Sequence, residues 1–348
     1  MEYSQIEIEN FKLKLMQGRS LDDLADLVNY VIEVQNQKEG TNYKKISAKR
    51  LKHYYANVNK KYINFEIPKK TGGKRTITAP DKFLKKIQRR INLLLTLFFE
   101  PKPAAHGFLE NRSIITNAKI HVGKKYVLNI DLKDFFPSIS AMQVKDVFTS
   151  ECFNFNDSVA TALTLLTTYE GKLPIGAPTS PVISNFICLK LDNDLKEFCN
   201  TNGLLFSRYA DDLTFSADTL ISNDTVLDII NLIKKNNFQI NEKKLRLKSS
   251  NRKQTVTGLT VNEKVNVDRK LLKKIRAMLH DMTTNGIDTA TQRHFNFRGE
   301  IEIQHRAKFI HRLEGYINFV GQVRGKSDGL YFKQKTLFDS LFKSKNNE

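Results

Sequence analysis

Cysteine is scarce in this chain of 348 residues: there are three, Cys152, Cys188 and Cys199, and none forms a CxxC pair. An odd count at wide spacing excludes a disulfide framework and a CxxC zinc site, and it points to reduced thiols in a cytoplasmic protein. Long uncharged apolar runs are also missing, so no segment is expected to span a membrane. The opening MEYSQIEIENFK lacks the pattern of a signal peptide. No internal repeat or low-complexity linker is visible. Acids are few beside bases, with 37 Asp and Glu against 56 Lys and Arg and a net charge of +19. Such an excess attracts polyanions, nucleic acid first and an acidic membrane surface second.

The positive charge is concentrated. Between Lys44 and Arg90 there are 16 Lys and Arg against Glu66 and Asp81, and between Asn231 and His280 there are 14 against Glu242, Glu263 and Asp268. Two basic stretches separated by a segment with acidic pairs predict two walls of a nucleic-acid groove. The length suits one large domain or two to three lobes.

Apolar periodicity predicts a helix capped by Ser20 with Leu21, Leu24, Leu27, Val28 and Val31 on one face. A basic helix is expected near Ser47 to Lys61, and another from Lys82 to Phe99 that buries Phe83, Ile87, Ile91, Leu94, Leu95 and Phe98 before Pro101. Between them, the segments 62–68 and 74–78 alternate as strands around a Lys69–Gly73 turn, a basic hairpin with a glycine tip. Tyr126 to Ile130 reads as a buried strand ending at Asp131. Ser180 is expected to cap a helix with Pro181 in its first position, running to about Cys199 with Gly203 as a stop. Two strands, 204–209 and 213–216, flank a tight turn at Ala210, Asp211 and Asp212. A helix over 226–235, a strand-like 255–267 and an Asp268-capped helical C-terminal region follow, and Lys343 to Glu348 form a tail. Strands and helices without regular βα alternation predict an α+β fold.

Three carboxylates stand out by position. Asp131 ends an apolar strand, and Asp211 and Asp212 sit at a hairpin tip between apolar strands. A carboxylate in such a place is costly unless a cation or donor meets it. Magnesium takes a few carboxylate oxygens together with water and phosphate oxygens, and two such ions ~3.5–4 Å apart serve in-line phosphoryl transfer. Asp131 alone, or the Asp211–Asp212 pair alone, reads better as turn chemistry, and Asp134 is assigned to that class as a solvated or capping residue.

The surrounding residues carry more. Tyr209-Ala-Asp-Asp212 resembles the YxDD box of reverse transcriptases. Asp131-Leu-Lys-Asp-Phe-Phe-Pro-Ser-Ile139 resembles their first metal-binding motif, and Gly176-Ala-Pro-Thr-Ser-Pro-Val-Ile-Ser-Asn185 their template and nucleotide contact segment. Three motifs in the family's order are far more specific than one. Asn117-Ala-Lys-Ile-His121 is similar to the NAxxH element of bacterial retron reverse transcriptases, and Val256-Thr-Gly258 to their VTG element. The resemblance covers about Ile67 to Gly258, and the C-terminal region loosely.

The resemblance implies an α+β right-hand polymerase with an antiparallel palm sheet and a helical thumb. It places an N-terminal helical region at 1–61, fingers at 62–125 with 150–180, the palm at 126–149 and 181–262, and an RNA-binding thumb at 263–348. It makes Asp131, Asp211 and Asp212 the ligands of two Mg2+ ions, with the Leu132 carbonyl as a further oxygen. Phe136 stands where the family has an aromatic gate against the ribose 2′-OH, while Phe135 faces the core. Lys69 and Arg75 match the residues that grip the incoming dNTP, with Lys70 and Lys74 as competitors. Gly176 and Ala177 contact the nucleotide, and Pro178 and Thr179 the template. Many relatives have Gln where this chain has Ile175. Lys244 matches a lysine that protonates pyrophosphate, with Lys243 as the alternative. Asn117, His121, Val256, Thr257 and Gly258 are implied in RNA binding or folding, and Arg306, Lys308 and Arg312 in recognition of the partner RNA.

The implied partners are a structured non-coding RNA that is both template and primer, its DNA product, dNTPs and a separate effector protein acting in phage defence, because no RNase H, nuclease or maturase domain fits in the remaining residues. Synthesis is implied to begin at a 2′-OH of an internal guanosine and to yield branched RNA–DNA. The alternatives are a group II intron, diversity-generating or abortive-infection reverse transcriptase, and a non-catalytic RNA-binding protein on a polymerase scaffold.

Overall fold

The computed structural model describes residues 3–69, 72–297 and 299–343. In chain order its elements are α1 (Gln5–Gln17), α2 (Leu21–Glu39), α3 (Ala48–Ala56), β1 (Tyr62–Pro68), β2 (Lys74–Pro80), α4 (Lys82–Phe98), α5 (Ile114–Lys119), β3 (Tyr126–Asp131), α6 (Phe135–Ser138), α7 (Ala141–Thr149), α8 (Asp157–Thr167), α9 (Ser180–Thr201), β4 (Leu205–Tyr209), β5 (Asp212–Ala217), α10 (Asn223–Lys235), β6 (Arg246–Ser249), β7 (Thr255–Val256), β8 (Leu259–Thr260), α11 (Arg269–Phe295), α12 (Ile303–Arg324) and α13 (Gly329–Lys343). The fold is α+β, as the sequence predicts. Its four-stranded sheet has the order β4-β5-β3-β6, and β1 and β2 form a separate antiparallel hairpin. No described helix is long and apolar enough to cross a membrane.

The chain divides into two compact units. The first comprises Met1–Glu110, Ile130–Leu213 and Ser222–Leu245. Its core forms where amphipathic helices turn their apolar stripes inward. Leu24, Val28 and Val31 of α2, Ile87, Ile91 and Leu94 of α4, Leu163 and Leu166 of α8, and Ile183, Leu191 and Leu195 of α9 are all buried. Phe186 of α9 packs edge to face on Phe99 and meets Phe153 at a tilt. Ser20 caps α2 in a reciprocal pair with Asp23.

The second unit comprises Asn111–Asn129, Thr214–Ile221 and Arg246–Glu348. Here β3 and β6 pair antiparallel from Tyr126↔Ser249 to Asn129↔Arg246. A core of Ile275, Met278, Phe309, Leu313, Ile317 and Phe338 joins α11, α12 and α13, and it continues to Val256, Leu259 and Val127. Asp268 caps α11, as predicted, by accepting from the Lys270 amide.

Several local expectations are corrected. The helix after Ser47 ends at Ala56, and a short 3-10 turn, Val58–Lys61, follows. In α4 it is Leu84, with Gln88 and Arg90, that is buried, while Phe83 and Phe98 are half-exposed. Phe83 lies under the Arg50 guanidinium at 3.9 Å, a contact that keeps its ring at the surface. Ser180 is no cap. Thr179 holds the N-cap position of α9 without a side-chain bond, and Ser180 Oγ donates to the Pro174 carbonyl at 2.8 Å. Asp212 opens β5 and is not part of the turn. The 255–267 segment contains two short strands, β7 and β8, and not one long one. The predicted tail lies outside the described residues from position 344 onward, as do Lys70 and Thr71 of the hairpin turn.

Candidate active site

Asp131 ends β3 because the strand's apolar residues are consumed inside the sheet. Val127, Leu128 and Ile130 are buried, and Asp131 follows at 7% exposure. Across from it, β4 and β5 turn at Ala210, whose φ of 57° is a left-handed conformation rare for a residue with a Cβ. That turn carries Asp211 beyond the end of β4 and leaves Asp212 as the first residue of β5. The main chain fixes the meeting: the Leu132 amide donates to the Asp211 carbonyl at 2.9 Å, and the Asn241 amide donates to the Asp131 carbonyl at 2.7 Å. Leu132 itself is buried.

The electrostatics follow from this convergence. Burial raises the Asp211 carboxyl above the ordinary carboxylate range, and the Asp131 charge adds to the rise, against the opposing Lys244 and Arg75. Asp212 keeps solvent on one side at the rim of the site. Loss of solvation on its protein side, followed by the charges of Asp211 and Asp131, pushes it up to about 6. Both Lys243 and Lys244 are exposed, but it is Lys244 whose Nζ reaches the acids, donating to Asp131 Oδ2 at 2.6 Å.

This donor set fits a hard divalent cation. It is built of carboxylate oxygens that repel one another, with no histidine or thiolate. Among the described residues no three His, Cys, Asp or Glu side chains close around one point as a metal cage does. Magnesium keeps water and takes phosphate oxygens beside one or two carboxylates.

The remaining candidates distribute around these acids. Arg75, opposite Ile67 in the hairpin register, lies within electrostatic reach of Asp211. Lys69 is exposed, and its amide closes the turn onto the Gly73 carbonyl at 3.0 Å. Lys74 is paired with Glu66 at 2.7 Å. Gly176 has φ 124°, and a Cβ there would meet Ile77 Cγ2 and the Thr78 carbonyl oxygen at 3.0 Å, so only glycine lets this segment approach β2. Ile175 accepts from the Thr78 amide at 2.8 Å through its backbone carbonyl. Ala177 and Thr179 are buried and Pro178 is half-buried. Phe135 is buried and stacks on Phe238. Phe136 is half-exposed, 6.0 Å from the ring of Phe108. Asp134 is solvent-exposed at the N-cap position of α6 and makes no capping bond.

The second unit holds the other group. Asn117, His121 and Val256 are fully buried, so their side chains present no surface in this conformation. His121 Nδ1 shares a hydrogen bond with Ser216 Oγ at 2.7 Å. Thr257 and Gly258, with φ 46° and 84°, form the two-residue turn between β7 and β8, and Thr257 Oγ1 donates to the Ile114 carbonyl at 3.2 Å. Thus α5 is tied to that turn. Arg306 donates from Nε and Nη2 to the two Asp288 carboxylate oxygens, at 2.5 and 2.8 Å. Arg312 lies 4.4 Å over the Phe295 ring, and Lys308 is exposed.

The support beneath the turn belongs to none of the motifs. Arg208 is fully buried and grips Asp192 with two bonds of 2.7 Å. Its signal was present: a lone charge in the apolar strand 204–209, and a lone acid on the buried face of α9.

Residues 67–262 match the sequence family described as reverse transcriptase (RNA-dependent DNA polymerase). A similar curated protein is the retron Mx65 reverse transcriptase of Myxococcus xanthus, 34% identical over 284 residues that cover 75% of this chain and 66% of that relative. Another is the retron Ec86 reverse transcriptase of Escherichia coli, 33% identical over 287 residues, covering 81% and 83% respectively. Among solved structures, a telomerase from Candida albicans in complex with a fragment of telomeric RNA aligns over 92% of this chain and 68% of that one, with TM-score 0.46 and 11% identity.

Proposed function

The chain belongs to the reverse transcriptase family, among the retron-type enzymes of bacteria, and from that premise we propose that it copies a structured non-coding RNA into DNA. The observation that carries the reading is the meeting of Asp131 with the Asp211–Asp212 tip, fixed by the Leu132–Asp211 backbone bond. Family membership implies a divalent-metal polymerase. Two Mg2+ ions, when bound, would lower the pKa of the attacking hydroxyl and offset the charge of the departing pyrophosphate.

The chain's own residues then divide the remaining work. Asp131 and Asp211 hold the cations, with Asp212 at the rim and the Leu132 carbonyl as a further oxygen. Arg75 and Lys69 grip the triphosphate, a task for which a guanidinium fork is suited. The ring of Phe136 lies under the sugar and rejects a 2′-OH, and Gly176 and Ala177 let the base pair approach. Lys244 Nζ moves a proton to the leaving pyrophosphate. In this reading β1 and β2 belong to the fingers at 62–125 with 150–180, the metal strands to the palm, and 263–348 to a thumb that binds RNA through Lys308 and Arg312. Thr257 and Gly258 present the RNA-binding turn that Asn117, His121 and Val256 support from inside.

The finer retron reading is that one RNA serves as template and primer, that synthesis begins at an internal guanosine 2′-OH, and that branched DNA results. A separate effector and a role in phage defence complete it, in the cytoplasm. Primer extension on an RNA template tests the polymerase. The wild type should incorporate dNTPs and the Asp211→Asn, Asp212→Asn variant should not. Equal, negligible incorporation by both would leave only an RNA-binding protein. Sequencing the nucleic acid that co-purifies with the chain tests the RNA partner.

A further inference from the structure

We propose that Arg208 is a positioning residue for the acidic tip, acting through the peptide that precedes Asp211. This rests on the polymerase reading above. Arg208 lies on β4 with no exposed surface, and Asp192 on α9 is 1% exposed. Nε and Nη2 donate to the two Asp192 carboxylate oxygens at 2.7 Å each. That fork leaves Nη1 pointing along the strand, where it donates to Asn185 Oδ1 at 3.2 Å and to the Ala210 carbonyl at 3.4 Å. Asn185 in turn donates from Nδ2 to the Gly107 carbonyl at 3.1 Å. The backbone of the 104–107 segment clasps the same residue: the Arg208 amide donates to the Ala104 carbonyl, and the His106 amide donates to the Arg208 carbonyl, both at 2.8 Å.

The consequence lies in the two peptide groups that flank Asp211. The one before it carries the Ala210 carbonyl, held by Arg208. The one after it carries the Asp211 carbonyl, held by the Leu132 amide. Two fixed peptide planes set both dihedrals of Asp211, and those set the direction of its Cα–Cβ bond. Ala210 needs such restraint, because its left-handed φ of 57° is unfavourable for a residue with a side chain. A buried ion pair is seldom the most stable way to fill a core, since an apolar pair of similar volume often does as well or better. An apolar pair, however, has no donor for the Ala210 carbonyl. The ion pair therefore supplies aim more than stability.

The test compares the wild type with Arg208→Met/Asp192→Leu and with Arg208→Lys. Four quantities are read: thermal melting, affinity for primed RNA, Mn2+ binding by water-proton relaxation, and single-turnover incorporation of dNTP on a primed RNA. The apolar pair should melt cooperatively near the wild type and bind the primed RNA equally well. It should bind Mn2+ more weakly and lose about 100-fold in kcat, the scale of an ångström misplacement. Arg208→Lys keeps a cation but cannot reach both Asp192 oxygens, Asn185 and Ala210 at once. Its loss should be partly recovered at high Mn2+, which a folding defect would not be. A folded apolar pair with wild-type Mn2+ affinity and kcat overturns the proposal. Should that variant not fold, Arg208→Lys with unaltered Mn2+ affinity overturns it. A wild type that binds Mn2+ but incorporates no dNTP overturns the polymerase reading instead, and the Mn2+ measurement then decides this one.

Discussion

Gly107→Ala is the sharpest steric probe of the acidic turn. A Cβ at Gly107 would lie 2.5 Å from the Ala210 amide nitrogen, 3.1 Å from the Tyr209 carbonyl carbon and 3.3 Å from Ala210 Cα, all of them backbone atoms. No side chain can swing aside to relieve the clash. Ordinary contact begins at 3.4 Å, so the turn must retreat by about 0.9 Å from the 104–107 segment. Overpacking of this kind costs about 1–3 kcal/mol. The displacement falls on the residue immediately before Asp211, and a misplacement near 1 Å costs about 100-fold in rate. The expected result is a modest fall in melting temperature with a disproportionate fall in kcat and little change in affinity for primed RNA. Single-turnover primer extension and a thermal melt read the two effects separately. A variant that melts like the wild type and keeps kcat within about twofold would show that the turn is not held against Gly107 as described.

Three further outcomes are expected. Phe136→Ala should raise rNTP use relative to dNTP by about tenfold or more, measured by competitive incorporation, and unchanged sugar selectivity would remove the gate role. In metal-free protein, Asp212 has a folded-state pKa raised to about 6, so its contribution to stability is present at low pH and is lost as pH rises through that value. Asp212→Asn should therefore raise the melting temperature at pH 7–8 and do nothing at pH 4, and a gain at low pH would contradict the cause assigned. Under native conditions a thiol reagent at pH 8 should label Cys152 alone, because Cys188 and Cys199 are buried and their thiols are pushed up to about 12. Mass spectrometry that finds Cys188 labelled at the rate of Cys152 would contradict the packing of α9.

Much of this was legible in the sequence, for identifiable reasons. Strand ends, the hairpin of β1 and β2 and the caps at Ser20 and Asp268 follow from local residue chemistry, which neighbours in the chain determine. The acids at Asp131, Asp211 and Asp212 were found because motif order constrains them jointly. What could not be read depends on partners distant in the chain. Ser180 looks like a cap, but its hydroxyl is taken by the Pro174 carbonyl, leaving Thr179 in the N-cap position. Phe83 looks like core, but Arg50 covers its ring at the surface. Asn117 and His121 carry a motif that suggests contact with RNA, yet both are enclosed. Arg208 and Asp192 sit 16 positions apart, and only the packing of β4 against α9 makes them a pair.

The central claim is that Asp131 and Asp211 share a divalent cation. Diffraction from crystals of the chain with primed RNA, a non-hydrolysable dNTP and Mn2+, recorded at the manganese edge, tests it directly. The account predicts anomalous density between the Asp131 and Asp211 carboxylates, with Lys244 Nζ withdrawn from Asp131, and its loss in Asp131→Asn. Manganese bound elsewhere, or Lys244 still on Asp131 with the nucleotide in place and no cation between the acids, would contradict it.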